Sequence, residues 1–136
     1  EETTGLVGYR LRRAQLSVFQ RFLTLFGDLK LRPVEYSVLV LIAANPGRKQ
    51  TEIAEVLGIK RANFVTLVHG LEERGIVERI ASEADKRANA LHLTSEGETI
   101  LRRARDVHET MEHDLVDRLG GEKAREKLLA LLDRLT

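Results

Sequence analysis

The chain has 136 residues, of which 43% are hydrophobic and 32% are charged, a composition typical of one globular domain. Because it contains no cysteine, disulfide bonds and thiol catalysis are excluded. Its net charge of +1 gives by itself no reason to expect a nucleic-acid partner, so the distribution of charge matters more than the sum. The longest apolar stretch, residues 38–44, is far shorter than the ~20 residues of a transmembrane helix. We therefore expect a cytoplasmic protein with no membrane partner.

Two helices are predicted in the first third of the chain. Between residues 6 and 29, apolar side chains recur at helical spacing. They are Leu11, Val18, Phe22, Leu25 and Leu29. Residues 33–44 form the second predicted helix, because a proline at position 33 suits a first turn and the sequence NPG at residues 45–47 ends it.

The next segment, residues 50–74, predicts a helix-turn-helix. Residues 50–59 read as a short amphipathic helix closed by Gly58, which suits the left-handed turn beyond a helix end. In residues 61–74 the apolar side chains again follow helical spacing, and Gly75 offers the next stop. These side chains, expected to face the core, are Phe64, Leu67, Val68 and Leu71. Two helices joined by a tight turn that contains glycine favour a helix-turn-helix.

A short β-hairpin follows the second of these helices. Residues 76–81 and 88–93 are strand-like runs rich in Val, Ile and Leu, and the polar tip at residues 82–87 separates them. A hairpin in this position is the wing of a winged helix.

Two more helices are predicted after the wing, at residues 94–119 and 122–135, with the Gly120-Gly121 break between them. Their apolar stripes are Ile100, Ala104, Val107, Met111, Leu115 and Leu119 in the first, and Leu128, Leu131, Leu132 and Leu135 in the second. Such stripes usually form intramolecular core. One winged helix is nevertheless too small to cover three flanking helices, which favours contact between subunits.

Several blocks of the chain resemble the MarR family of bacterial transcription regulators. The family pattern E-L-A-x-x-L-G-[VI], L-E-x-x-G-[LI]-V-x-R, D-x-R and L-T-x-x-G corresponds here to EIAEVLGI (52–59), LEERGIVER (71–79), DKR (85–87) and LTSEG (93–97). A further block, LRPVEYSVL at residues 31–39, is similar to the family's L-T-x-x-Q-[YF]-x-V-L. The order and spacing of the blocks carry the resemblance.

The resemblance implies a mainly α fold with a small β-hairpin wing, in a single domain over residues 1–136. The winged helix-turn-helix DNA-binding lobe would span about residues 31–97, and dimerisation helices would span about residues 5–29 and 95–136. These helices would intertwine across a two-fold axis. A homodimer of this kind would read a palindromic operator in double-stranded DNA, with half-sites about one turn, ~34–36 Å, apart.

Basic residues occur in pairs at three places that share one face of a winged helix. They are Arg48 and Lys49, Lys60 and Arg61, and Lys86 and Arg87. Any single pair is most simply a solvated surface pair, but three pairs at groove-facing positions favour DNA binding.

The helix that begins near residue 60 is the predicted reader of the major groove. Its solvent-facing side chains would be Lys60, Arg61, Ala62, Asn63 and Thr66. Arg61 can pair with guanine and Asn63 with adenine, whereas Lys60 and Gln50 are better placed for phosphate. Simple surface polarity explains Asn63 and Thr66 equally well. Thr66 also stands where an arginine is frequent in the family, so the operator cannot be inferred from relatives.

At the wing tip, Arg87 resembles the family arginine that enters the adjacent minor groove, and Asp85 could orient it by an ion pair. We expect Arg87→Ala to weaken operator binding strongly without affecting the fold. The alternative is an ordinary surface pair, which contributes little to stability.

In many relatives a small aromatic or phenolic molecule binds where the dimerisation helices meet the DNA-binding lobe. Here a polar stripe along the first helix is the candidate, and Tyr36 could approach it. The stripe consists of Tyr9, Arg13, Ser17 and Gln20. Arg13 could meet a carboxylate, and together with Arg10 and Arg12 it could suit the phosphates of a coenzyme A thioester. The alternative is a solvated helix face.

No catalytic or metal-binding pattern is apparent, and neither an enzyme nor a cofactor is predicted. His108 and His113 are five residues apart, which does not place them on one helix face. We therefore expect a sequence-specific, homodimeric DNA-binding repressor that a small molecule releases. The competing interpretation is a winged-helix protein-interaction module without ligand control, which would expose apolar side chains on the recognition helix; Val65 is the one weak indication of it.

Overall fold

The computed structural model describes residues 3–81 and 89–136. After a short 3-10 turn (Thr3–Gly5), the helices are α1 (Val7–Gly27), α2 (Pro33–Ala44), α3 (Gln50–Leu57), α4 (Arg61–Glu73), α5 (Ser95–Leu119) and α6 (Glu122–Asp133). Strands β1 (Val77–Ala81) and β2 (Asn89–Leu93) pair antiparallel, with Val77 opposite Leu93. The predicted mainly α fold with a small β-hairpin is confirmed.

The chain divides into two compact units, residues 1–104 and 105–136. The first unit has a continuous apolar core supplied by α1 to α4 and by the two strands. Its largest fully buried side chains are Phe26, Val38, Leu39, Ile42, Ile53, Phe64, Val68, Leu71, Ile76 and Leu91. Three of the four side chains predicted to turn α4 toward the core are in this group, and the fourth, Leu67, is half-buried.

Helix α1 ends at Gly27, two residues before the predicted end. The chain leaves the helix in a tight turn, in which the amide of Leu29 bonds the carbonyl of Phe26 at 3.1 Å and Lys30 adopts a positive φ of 52°. This turn buries Phe26, which stacks on Phe22 at 4.0 Å and contacts Tyr36 of α2 at 5.1 Å between ring centroids. The predicted apolar stripe omitted Phe26, although Phe26 is the α1 side chain that the core contains.

The LEERGIVER block connects α4 to the wing. Gly75 has a φ of 72°, which favours glycine, and reverses the chain directly after the helix. The carboxylate of Glu72 then pairs with the guanidinium of Arg79 on β1, at 2.6 Å. The wing strand is therefore attached to α4 both through the backbone and by an ion pair.

The LTSEG block joins the wing to α5. The hydroxyl of Thr94 lies 2.6 Å from the carbonyl oxygen of Gly75 and accepts a hydrogen bond from the amide of Gly97 at 3.0 Å, which satisfies one of the free amides at the start of α5. A Cβ atom at position 97 would lie 2.1 Å from the carbonyl oxygen of Ile76. Only glycine allows this close approach.

The second unit contains the end of α5 and the whole of α6. The turn between them uses Gly120 and Gly121, with φ values of 111° and 116°. Arg125 of α6 lies 3.6 Å from Glu112 of α5 and 3.1 Å from Glu122. Several leucines remain exposed, namely Leu128, Leu129 and Leu131 of α6 and Leu135 just beyond its end. Among the helices in residues 3–81 and 89–136, none is long and apolar enough to cross a membrane.

We expect Gly97→Ala to lower the free energy of unfolding by about 1–3 kcal/mol, the usual effect of forcing atoms into filled space. The added methyl group would meet the carbonyl of Ile76, which already accepts the amide of Thr94 at 3.0 Å. Urea denaturation measures the change. Equal stability of the variant and the wild-type protein would contradict the close approach.

Gly70→Ala is the matched control, because no heavy atom beyond its chain neighbours and the backbone of its own helix lies within 4 Å of the position that its Cβ would take. Gly70 lies inside α4, three residues before its end, where alanine restricts the unfolded chain without strain in the helix. We expect a gain of about 0.4–1 kcal/mol in the same urea titration. A loss would mean that α4 is packed more closely at this position than the structure indicates.

Candidate nucleic-acid interface

The start of α4 is electropositive and open. Lys60 is the N-cap residue, no side chain caps the helix, and no acidic residue lies in the first turn. Within residues 3–81 and 89–136, neither Lys60 nor Arg61 makes an ion pair. Free amides at a helix start, combined with two unpaired cations, form a suitable site for a phosphate group.

The outer face of α4 carries the residues predicted to read bases. Arg61, Ala62, Asn63 and Thr66 are all exposed. The hydroxyl of Thr66 donates to the carbonyl of Ala62 at 3.2 Å, so its proton is already used within the helix. Thr66 can therefore offer a base its methyl group or an acceptor lone pair, whereas Arg61 and Asn63 keep donors free for base edges.

The start of α3 is connected to the wing. The amide of Leu91 on β2 bonds the carbonyl of Arg48 at 3.1 Å, and Lys49 forms a β-bridge with Ala90. This link fixes Arg48 and Lys49 relative to the β-hairpin. Such a fixed arrangement is required if the basic pair and the hairpin are to contact the same DNA. The guanidinium of Arg48 also pairs with Glu52 at 3.2 Å, which reduces its net charge.

Gln50 has an unusual environment in the same region. Its side-chain oxygen is buried and has no hydrogen-bond partner in the described part of the chain. Gln50 is the first residue of α3, which no side chain caps. This oxygen is an acceptor, as phosphate oxygens are, so a contact with phosphate would have to come from the NH2 group, and the phosphate role predicted for Gln50 stays a prediction.

The third basic pair, Lys86 and Arg87, lies outside the described residues, as does Asp85. Their predicted roles stay predictions.

Sequence reasoning missed an ionic cluster beside the recognition helix. The carboxylate of Glu35, which is 8% exposed, lies 3.3 Å from Nε of Arg32 and 3.6 Å from a terminal nitrogen of Arg74, and it accepts the backbone amide of Arg32 at 2.8 Å. The three-residue spacing of Arg32 and Glu35 at a helix start is that of a capping box and could have indicated the local bond. The contact with Arg74 joins α2 to the end of α4, and no local pattern in the sequence predicts it.

A groove of about 350 Å³ lies between the start of α2 and one flank of α4. Its lining includes Arg32, Glu35, Ile59, Asn63, Thr66 and Gly70. Arg32 thus lines one side of the groove, and Asn63 and Thr66, which are predicted to read bases, line the other.

The predicted effector residues are dispersed along α1. Arg13, Ser17 and Gln20 are exposed, and Arg13 lies over the ring of Tyr9 at 5.9 Å. Arg10 donates to the carbonyl of Thr4. Tyr36, in contrast, is buried against Phe22 and Phe26, near the other end of α1. The groove beside α4 contains none of these residues, and their role in ligand binding stays a prediction.

No group of three metal-ligating side chains occurs among the residues that the structure describes. His108 and His113 lie on α5, where His113 pairs with Glu109 at 3.8 Å.

Comparison with known proteins identifies relatives of the same architecture. The model of the MarR family matches residues 28–88. A protein of Thauera aromatica, named as a transcriptional regulator for the hcr operon, is 34% identical over 132 residues, which cover 96% of this chain and 79% of that protein.

Two solved structures of the transcriptional repressor CouR are also similar. The complex of CouR with a 23-mer DNA duplex is 44% identical, with a TM-score of 0.86, and the match covers 98% of this chain and 94% of that chain. The complex with p-coumaroyl-CoA is 43% identical, with a TM-score of 0.83 and the same coverage. The fold, the helix-turn-helix and these relatives lead to one conclusion: the chain belongs to the MarR family of winged helix-turn-helix transcription regulators.

Proposed function

We propose that the protein is a homodimeric repressor that binds a palindromic operator through α4 and is released by a small aromatic ligand. The observation that carries the proposal is the open, cationic start of α4, with the side chains predicted to read bases exposed in its first two turns. CouR, which is 44% identical over nearly the whole chain, binds a DNA duplex as a repressor. In the proposed complex, Lys60 and the first amides of α4 hold phosphate, and Arg61 and Asn63 contact base edges.

Exposed apolar stripes support the homodimer. On α1, three such side chains recur at helical spacing, namely Leu16, Phe19 and Leu23. Leu128 and Leu131 on α6, and Leu135 just beyond its end, follow the same spacing. Surfaces of this kind are rarely left in water, and a second copy of the chain is the partner we propose for each. We accordingly retain residues 5–29 and 95–136 as dimerisation helices of a single domain.

The competing function, a protein-interaction module, has less support. It would expose large apolar side chains on the recognition helix, but Phe64 and Leu71 are buried, and Val65 is the large apolar residue of α4 that is exposed. An aliphatic side chain at this position is also compatible with contact to a thymine methyl group.

The proposal predicts that Lys60 and Arg61 act differently although they are adjacent. Arg61→Ala should reduce the binding free energy for the preferred duplex by about 1–3 kcal/mol and relax the preference for one base pair at the position that Arg61 contacts. Lys60→Ala should weaken binding to all sequences alike and flatten the salt dependence. The measurement is selection from a random duplex library, followed by anisotropy titration of the selected duplex and its point variants at several salt concentrations.

Two outcomes would count against these roles. A salt-independent affinity of the wild-type protein would favour the protein-interaction module, because binding to phosphates must release counterions. If both variants weakened binding without changing the preferred sequence, Arg61 would be a phosphate contact and the reading of bases would belong to other residues.

For the effector, we propose the coenzyme A thioester of a hydroxycinnamic acid or a similar aromatic acid. CouR binds p-coumaroyl-CoA, and α1 of this chain presents Arg10 and Arg13 together with the ring of Tyr9. Guanidinium groups suit the phosphates of coenzyme A, and an aromatic ring suits the acyl group. The ligand can release DNA only if it binds the DNA-free conformation more tightly.

We expect p-coumaroyl-CoA to lower the affinity for the selected duplex, whereas p-coumaric acid and coenzyme A alone have weaker effects. Arg13→Ala should reduce this ligand effect and leave the affinity for DNA without ligand unchanged, and Arg102→Ala, at an exposed arginine of α5, serves as the control. By linkage, DNA should weaken thioester binding by the same factor, which calorimetry can measure. A thioester that binds without changing the DNA affinity would contradict release.

Since the proposed target is chromosomal DNA, we place the protein in the bacterial cytoplasm. We propose no catalytic activity and no resident cofactor.

A further inference from the structure

On the basis of the DNA binding proposed above, we propose that Arg32 is a further DNA-contacting residue, which binds a backbone phosphate beside the recognition helix. Arg32 precedes α2, outside the helix-turn-helix and the wing that contain the predicted contacts.

The position of Arg32 suits this role. Its side chain is 67% exposed, and it lines the groove that Asn63, Thr66 and Gly70 of α4 line from the other side. When α4 enters the major groove, the sugar-phosphate strand at its flank must pass close to such a rim. Gly70 has no side chain and no heavy atom near its virtual Cβ, so the groove stays open at this point.

An ion pair positions the guanidinium of Arg32 without fully neutralising its charge. Its Nε atom contacts Glu35 at 3.3 Å, and the same carboxylate also contacts Arg74 at 3.6 Å. One carboxylate between two guanidinium groups leaves this cluster with a net charge of +1. Among the described residues, no partner is recorded for the two terminal nitrogens of Arg32.

These terminal nitrogens give Arg32 the geometry of a phosphate ligand. A guanidinium that is anchored through Nε presents its terminal N–H groups as a fork, which matches two phosphate oxygens. Because the anchor is a buried carboxylate, little side-chain entropy remains to be lost on binding. Glu35 acts here as a positioning residue for Arg32.

Arg32→Gln tests the proposal in the wild-type protein and in a Glu35→Gln background. We expect Arg32→Gln to weaken binding to the selected duplex about tenfold. The salt slope, which is the slope of the logarithm of the binding constant against the logarithm of the salt concentration, should fall in magnitude by about 0.9 per contact, or about 1.8 for a symmetric dimer. Arg32→Lys should keep most of the slope, because it keeps the charge. Lys30→Gln, which removes an exposed cation two residues away that does not line the groove, should leave the slope nearly unchanged.

The double substitution distinguishes contact from a structural effect. If Arg32 binds phosphate, its replacement reduces the salt slope in both backgrounds. If Arg32 merely balances Glu35, its replacement has no further effect once Glu35 is neutral, and the proposal is overturned. An unchanged slope for Arg32→Gln, or an equal change for Lys30→Gln, would overturn it as well. A wild-type protein that fails to bind DNA would instead refute the proposed function.

Discussion

Burial of Phe64, Val68 and Leu71 in the core determines which side of α4 faces outward, and the functional interpretation depends on this constraint. A helix with three fully buried side chains on one face cannot rotate about its axis without opening the core, at a cost of about 2–5 kcal/mol for each large side chain removed. The helical repeat then places Ala62 and Thr66 on the opposite face. The side chains proposed to read bases thus owe their outward direction to side chains that are buried in the core.

The end of α4 is attached to its neighbours by two ion pairs of different character. Glu72 contacts Arg79 of the wing at 2.6 Å, with both side chains about one quarter exposed. Arg74 contacts the nearly buried Glu35 of α2. Ion pairs of this kind add little net stability but strongly disfavour arrangements in which a buried charge loses its partner. They therefore help to hold α2, α4 and β1 in one arrangement, as the proposed contact of several elements with one duplex would require.

The sequence predicted each helix and strand to within two residues, because the signals for their ends are local: Pro33 at a helix start, Gly58 and Gly75 after helix ends, and helical spacing between them. It also predicted the exposed face of α4. The Glu35 cluster could not be predicted, because its two cations are far apart in the sequence and meet only through tertiary packing. The same limit applies to the effector residues, since Tyr36 packs into the aromatic core and a ligand site depends on how side chains from several elements converge.

Helices α3 and α4 have no side-chain cap at their starts, which lowers the stability of each helix but leaves its first amides free for phosphate. Lys49 and Lys60 occupy N-cap positions where a serine or threonine would add about 1 kcal/mol by bonding a free amide. A hydroxyl there would also occupy an amide that can otherwise bind phosphate, and it would replace a cation beside the positive end of the helix. No side chain caps either helix in the described structure, and in the proposed complex DNA phosphates would supply the missing acceptors. A ligand that binds only the folded protein raises its free energy of unfolding. Bound DNA should therefore offset part of the stability that α3 and α4 lack without side-chain caps.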